Sequence, residues 1–569
     1  MFSIRFNRNL LIMALIGVAL YLSVVAWYGI RGETNPDTLS SVPPVTKEMA
    51  ESTALDWFRN ETGTTAEIEG TVYITDKQVQ GYLEKNDLTK EYEKTLEAVV
   101  PLDYWRVALK ADNESRIYVR VGLDEAKVYG FQTPKPRSDN AVSIKINDAD
   151  EAVSMFGYSR ADFEIGPPPS GKGYSIDTAP MFRFTSKSQH IGEAKLVIDI
   201  SSNDKGLTEI LPSLEPPADF ISWMNKQDTG AGLYSILYIA GALIFGIVGL
   251  ILIILKRKQS RFSRGILFSL VFLSAIGIYT YNSLPAQLAS VEPSQLGIMS
   301  SSNFLFITSM IIYVLLAVSL YFNAVSGDVL WRERGWNPWP RWKDANFGNH
   351  VYASMGRGYL LCIFVMGVQQ VLFLFAYNVF DTFSVNDPSQ SMENLYWPWL
   401  FPTLAWYAGI GEEIVFRLFG ISLFRKMLPE GRSRVSQNII RFLSVLLPAL
   451  IWAAGHAAYA FYPNYTRLFE VAALGLIFGF VFLRYGLYTA IFTHVSMDII
   501  LMSLSYMVDE KTIGATLLGI FYMATPFLVA AIILFLHRTF RKTPVDPPAQ
   551  PLPNPNLYPY PNPGPVQNP

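Results

Sequence analysis

The stretch GEEIVFRLFG (residues 411–420) sits inside an apolar run that extends from Trp397 to Phe424. Such a run is long enough to cross the roughly 30 Å hydrocarbon core of a bilayer as a helix. Glu412, Glu413 and Arg417 are costly at that depth, at about 2.5–3.5 kcal/mol per charge at mid-helix before partners form. On an α-helix, residues four apart lie about 40° apart around the axis, so Glu413 and Arg417 are neighbours on one face. Glu412 is turned about 100° away from Glu413 and shares that arginine less easily. One glutamate is paired; the other is free.

Outward from this stretch, the chain reads as a polytopic α-helical membrane protein. Half of its 569 residues are hydrophobic, its formal net charge is -2, and its mean hydropathy is +0.22. The apolar residues gather in ten runs, at 10–30, 231–255, 265–284, 303–324, 359–380, 397–424, 440–461, 469–484, 486–507 and 514–536, which predicts about ten transmembrane helices. The runs at 469–484 and 486–507, divided only by Tyr485, predict a tight helical hairpin. A near-zero net charge gives no electrostatic footprint for nucleic acid. The single cysteine, Cys362, excludes a disulfide framework and a cysteine metal site within one chain.

Loop charge predicts the orientation. Basic residues flank the first run at Arg5 and Arg8 and recur in KRKQSRFSR (256–264), WRERGWNPWPRWK (331–343), FRKMLPEGRSR (424–434) and HRTFRK (537–542). The alternate loops 285–302 and 381–396 carry no Lys or Arg. Both termini are expected in the cytoplasm and residues 31–230 outside, in a plasma membrane. The first run ends in bulky AWYGI without a small-x-small cleavage site, so an uncleaved anchor is expected over 1–30. The absence of cysteine from the outer domain fits a bacterial surface.

Residues 31–230 predict an extracytoplasmic α+β domain inserted between helices 1 and 2. Helical periodicity at 45–62 is followed by a strand at 67–74, a helix near 77–98 and strands at 104–111, 115–123 and 126–133. A looser copy follows, with a helix at 148–157 and strands near 180–187 and 193–202. This doubled pattern resembles the PepSY-like modules of some bacterial surface proteins. It shows no catalytic constellation, and what the domain binds is not legible. Beyond it, 231–358 reads as accessory helices with a Trp/Arg-rich cytoplasmic loop, and 539–569 as a disordered Pro-rich tail, inert or a ligand for a proline-binding partner.

The buried charges concentrate in three runs: Glu412, Glu413 and Arg417 in the sixth, His456 in the seventh, His494 and Asp498 in the ninth. A structural ion-pair network would account for Glu413 with Arg417, but not for two further carboxylates and two histidines. His494 and Asp498 are four apart, so Asp498 can accept from one imidazole nitrogen and fix its tautomer. Glu-Glu-x-x-x-Arg (412–417), an aromatic-x-x-x-His (Trp452 to His456) and His-x-x-x-Asp (494–498), in this order on separate runs, resemble the CPBP intramembrane endopeptidases. That is the family of CAAX-prenyl and bacteriocin-processing proteases, and the resemblance covers roughly 359–536, within a protease core of 359–538. Two residues depart from the family pattern. Trp452 stands where phenylalanine is usual, which is expected to be neutral packing, and Asp498 stands where many members have asparagine.

The resemblance implies hydrolysis of peptide bonds in membrane-associated or exported peptides and membrane-anchored proteins. Peptide hydrolysis needs an activated water, an oxyanion donor and an acid for the leaving amine. Geometry and resemblance together cast Glu412 as base, His456 as a second holder of the water, and His494, oriented by Asp498, as oxyanion donor. Glu413 and Arg417 support the site. Glu412, His456 and His494 are also zinc ligands by type, with Asp498 behind a metal-bound histidine, so both a metal-free site and one divalent metal stay open. No HExxH helix, Gly-x-Gly-Asp pair or serine–histidine couple offers another protease chemistry. The competing readings are an inactive scaffold or regulator, and a proton-coupled transporter that uses the same charges as a relay. No inverted repeat supports the transporter.

Overall fold

The computed structural model describes residues 8–31, 43–111, 115–135, 138–139, 141–144, 149–166, 181–291, 302–429 and 431–541. The Pro-rich tail, Arg5, most of the 285–302 loop and the expected strand start at Pro180 lie outside the described residues. What is described is mostly helical, with a separate β-sheet domain between the first helix and the rest.

Helix α1 (Arg8–Arg31) packs along α10 (Phe347–Phe380), burying the stripe Leu10, Ala14, Gly17, Val24 and Tyr28. The sheet domain follows. Helix α2 (Lys47–Thr62) starts where Thr46 Oγ1 accepts the Met49 N–H at 3.3 Å and stops at Gly63, which adopts the left-handed conformation (φ 70°). Strand β1 (Ala66–Thr75) leads to helices α3 (Lys77–Lys85) and α4 (Thr89–Thr95), then strands β2 (Asp103–Ala111), β3 (Arg116–Gly122) and β4 (Val128–Gln132). The second half runs through α5 (Ala149–Met155), β5 (Phe163–Gly166), β6 (Phe182–Ile191), β7 (Ala194–Asn203) and β8 (Gly206–Glu215).

The two halves form one antiparallel sheet in the order β1-β2-β3-β4-β8-β7-β6-β5. Each half is a four-stranded meander, and the last strands of the two halves pair through Phe131 opposite Ile210. Strand β8 was not legible in the sequence because Pro212 interrupts its pattern. The proline is accommodated because β4 pairs β8 only at Ile210 and Glu209, which leaves the backbone at 212 free of a ladder on that side. Trp105, Val107, Leu109, Ile117, Phe131, Leu196 and Ile198 fill the core beneath α2.

Helix α6 (Ala218–Leu255) spans 38 residues, about 57 Å at 1.5 Å per residue, so it outreaches the hydrocarbon and carries the sheet domain on its first turns. The remaining elements are α7 (Ile266–Asn282), α8 (Leu284–Ala289), α9 (Ser302–Glu333), α10, β9 (Phe383–Ser384), α11 (Leu404–Glu412), α12 (Ser422–Met427), α13 (Arg434–Ala454), β10 (Phe461–Tyr462), α14 (Asn464–Tyr485), α15 (Leu487–Glu510) and α16 (Ile513–Phe540). Among the described residues, eight helices are long and apolar enough to cross a membrane: α1, α6, α9, α10, α13, α14, α15 and α16.

Two of the ten expected spans therefore take other forms. The run at 265–284 gives the 17-residue α7. The run at 397–424 is broken: Pro398 and Pro402 hold its start in a 3-10 turn, α11 follows, and Glu413–Ile421 winds as a π-helix before α12. Two boundaries also move. Helix α13 ends at Ala454, after which i→i−3 bonds tighten the chain into a turn, so His456 lies beyond the helix. The hairpin between α14 and α15 turns at Gly486 rather than Tyr485. Its φ of 86° favours glycine, and a Cβ there would meet the Pro338 carbonyl oxygen at 2.7 Å.

The sheet domain is docked on one end of the bundle. The Asn394 side chain pairs with the Tyr73 backbone, accepting at 2.7 Å and donating at 2.8 Å, and Lys77 meets Asp387 at 2.8 Å. Its apolar core continues into Phe383, Val385, Ala460 and Tyr462. Phe383 and Tyr462 belong to the paired strands β9 and β10, Val385 and Ala460 sit beside them, and β10 follows the His456 turn.

Candidate active site

The broken sixth run places Glu412 at the last residue of α11 and Glu413 at the first of the π-helical segment. Short π-helical insertions recur at functional sites. Glu413 is fully buried and faces two partners. Its Oε1 lies 3.3 Å from Arg417 Nη1 and 2.9 Å from His494 Nδ1, which reaches it from α15. The neighbour relation between Glu413 and Arg417 read from the sequence holds. Asp498 is expected from the sequence to face one imidazole nitrogen of His494; the structure adds a second carboxylate, with Glu413 at Nδ1. Asp498 Oδ2 sits 3.5 Å from the other nitrogen, Nε2, and Glu412 Oε2 sits 3.8 Å from the same nitrogen.

His494 thus bridges a fully buried carboxylate and two carboxylates that keep exposed surface. Glu413 has no exposed side-chain surface, whereas Glu412 and Asp498 retain 15% and 20%. Once Nδ1–H is donated to Glu413, Nε2 faces carboxylate oxygens, and that arrangement calls for a proton between them. The ring is clamped by Phe478 of α14, stacked at 4.8 Å, and by the edge of Trp452 at 5.7 Å.

Glu412 is not free of partners. Its Oε2 accepts the indole N–H of Trp452, and its Oε1 accepts the Tyr238 hydroxyl of α6 at 3.4 Å. The expectation of neutral packing at Trp452 therefore fails, because phenylalanine could pack there but could not donate. The same indole lies 4.1 Å beneath the Arg417 guanidinium, a cation–π contact. Among the described residues, no hydrogen bond gives Arg417 Nη1 or Nη2 or Glu413 Oε2 a partner.

His456 stands apart. Its Nδ1 is 3.1 Å from the Trp452 carbonyl oxygen, which can only accept, so Nε2 carries the lone pair of the neutral ring. The ring packs against Trp452 at 4.8 Å and stacks with Tyr459 at 5.8 Å. Trp452 is thus packed against both histidines and hydrogen-bonded to Glu412. Among the described residues no group of three His, Cys, Asp or Glu side chains could hold a metal ion. Glu412, His456 and His494, the possible ligand trio, do not fit that role in this arrangement.

Glu412 also lines a cavity of about 330 Å³, at the lower end of the ~300–1,000 Å³ range of small-ligand sites. Its walls come from α6, α7, α9, α11 and the π-helical segment, with Phe272, Tyr313, Tyr407 and Phe416 among them. Composition could not single out Tyr238 or Phe478, since each sits in an apolar run. Trp452 carried a signal, its buried N–H donor, which always calls for an acceptor.

Residues 394–500 match the family described as type II CAAX prenyl endopeptidase, Rce1-like. The match falls inside the 359–536 resemblance and contains every site residue expected from the sequence, while α6, α9 and the sheet domain lie outside it. It gives no support to the PepSY-like resemblance of the sheet domain. No curated protein and no solved structure matches the chain. Over residues 394–500, this chain is similar to the Rce1-like type II CAAX prenyl endopeptidases.

Proposed function

We propose that the chain is a multi-pass membrane endopeptidase in which Glu412 activates the water that attacks the peptide carbonyl. The observation that carries this reading is the division of labour around His494. A buried glutamate holds one ring nitrogen, and the two carboxylates that keep exposed surface face the other. Water held beside Glu412 gives its proton to that carboxylate as its oxygen adds to the substrate carbonyl. His494, protonated at Nε2, donates to the developing oxyanion. The proton on Glu412 then passes to the leaving amine as the C–N bond breaks, and the carboxylate is regenerated. Asp498 keeps the second proton near Nε2, and Arg417 offsets the charge of Glu413. His456 offers its Nε2 lone pair as an acceptor for the same water.

The substrate is a peptide or a membrane-anchored protein, reached within a bacterial plasma membrane. Both chain termini are cytoplasmic and the sheet domain stands outside. The docking of the sheet domain beside loops 381–396 and 456–464, and the placement of the basic loops at the other end of the bundle, fit this orientation. Residues 359–538 form the protease core and 231–358 its accessory helices.

The test uses purified full-length protein in nanodiscs and an internally quenched apolar peptide that wild type cleaves. Glu412→Gln keeps the side-chain volume and removes a mostly buried charge, so folding should survive while turnover falls by about two to four orders of magnitude. Full turnover in that variant would sink the mechanism.

A further inference from the structure

The Glu412 carboxylate is held at both oxygens by donors from two different helices. Oε2 accepts from Trp452 of α13, and Oε1 accepts from the Tyr238 hydroxyl of α6 at 3.4 Å. Trp452 lies inside the matched segment 394–500; Tyr238 lies more than a hundred and fifty residues before it. Each carboxylate oxygen has two lone pairs, so one donor per oxygen fixes the plane of the group and leaves a lone pair for water. A base with one free oxygen could rotate away from the attacking geometry; this one is pinned at both ends.

Tyr238 is itself held in register. Ten residues nearer the N-terminus of α6, about 15 Å along the axis, Asp228 Oδ1 accepts the Tyr462 hydroxyl at 2.7 Å. Next to it, the Gln227 side chain and carbonyl accept from Asn464 N–H at 3.1 Å and Nδ2 at 2.6 Å. These partners flank the end of the His456 loop. The Tyr238 ring also lies over Gly455, one residue before His456, where a Cβ would meet ring carbons at 2.6–3.1 Å. On its other side it packs against Phe416 at 5.6 Å. One side chain thus touches the proposed base, the turn that carries His456 and the wall of the cavity.

We infer that Tyr238 is a positioning residue for the proposed base: its hydroxyl, supplied by an accessory helix outside the family segment, fixes the Glu412 carboxylate while its ring seats the His456 turn. This rests on the reading of Glu412 as the base. The hydroxyl and the ring separate in Tyr238→Phe, which keeps the contacts with Gly455 and Phe416 and removes only the donor.

The experiment compares wild type, Tyr238→Phe and Glu412→Gln as full-length protein in nanodiscs, with the same quenched apolar peptide. Tyr238→Phe should melt like wild type, keep its KM within about twofold and lose about tenfold in kcat, the scale of one hydrogen bond to a charged group. The infrared carboxylate band of Glu412, isolated as wild type minus Glu412→Gln, should move in Tyr238→Phe. A 3-fluorotyrosine placed at position 238 keeps the hydroxyl, strengthens it as a donor and should move the band the opposite way. An unmoved band in both, an unchanged kcat, or a change carried by KM alone would overturn the inference. If Glu412→Gln is inactive while Tyr238→Phe matches wild type, only the role of Tyr238 falls. If Glu412→Gln retains turnover, the base assignment falls first.

Discussion

Two clusters of buried charge sit in the helical part of this molecule, and they are built differently. Near one end of the bundle, Arg264 donates to Asp328 at 3.1 and 2.7 Å and stands 4.2 Å from the Trp339 ring. Arg332 donates to the other oxygen of Asp328 at 2.9 Å and to the Gln259 carbonyl at 2.8 Å. The donors and acceptors of that cluster use one another up. Around Glu413, three carboxylates face one arginine and one bridging histidine, and Glu413 Oε2, Arg417 Nη1 and Arg417 Nη2 make no hydrogen bond. A closed network is what structure alone requires, because a half-satisfied buried charge is costly. An open one leaves hydrogen-bonding capacity at Glu413 and Arg417 that the packing around them does not use.

The sharpest way to break the comparison is Glu413→Gln, which strikes structure and chemistry together. It leaves Arg417 buried without its counter-charge and weakens the hold on His494 Nδ1. Folding stability should drop by about 3–5 kcal/mol, as for other broken buried pairs. The kcat of the surviving folded fraction should drop as well. Chemical denaturation and active-site-normalised turnover check the two parts, and a stable variant with full turnover would show that Glu413 is idle.

Asp328→Ala should carry only the first half of that effect. Removing the shared acceptor strands Arg264, which is 7% exposed, at a cost of about 3–5 kcal/mol, with kcat per folded molecule unchanged. Lost turnover in stable Asp328→Ala protein would mean that the closed cluster is not merely structural.

Trp452→Phe sharpens the contrast at the site itself. It installs the residue usual in the resembled family and deletes one donor to Glu412, so kcat should fall about tenfold with little change in melting temperature. An unchanged kcat would return Trp452 to the packing role expected of it from the sequence.

The smallest effect lies in the segment between α10 and α11. Burial, with Asp509 and Glu510 nearby, pushes the Glu393 carboxyl up to about 7. The folded protein holds that proton more tightly than the unfolded chain, so stability is lost as pH rises from the ordinary carboxylate range to about 7. Melting temperature should be higher at the acid end of that window, and Glu393→Gln should flatten the difference. A slope that survives the substitution would assign it to other groups.

Much of this was legible in the sequence because membrane insertion makes charge conspicuous. Glu412, Glu413, Arg417, His494 and Asp498 stood out by their cost at depth, and the structure brings them together. What stayed hidden depended on partners from distant runs. The hydroxyl of Tyr238 and the stacked ring of Phe478 look like ordinary apolar content. That Glu413 takes His494 Nδ1 while Asp498 faces Nε2 is set by how the π-helical segment packs on α15. In the fold, hydropathy located the runs but not their form: Pro398, Pro402 and the π-helical segment turned an expected span into a broken one. Pro212 hid strand β8 because its effect depends on which neighbour pairs at that position.

The central claim, that Glu412 delivers water, is tested most directly by a single turnover in ¹⁸O-labelled water. Wild type and Glu412→Gln would be placed in nanodiscs in excess over the cleaved peptide, and the products read by mass spectrometry. The account predicts one ¹⁸O in the new carboxyl terminus on the first turnover of wild type, and product from Glu412→Gln slower by about two to four orders of magnitude. An unlabelled first-turnover product, which would mark attack by an enzyme carboxylate, or a Glu412→Gln rate equal to wild type, would contradict it.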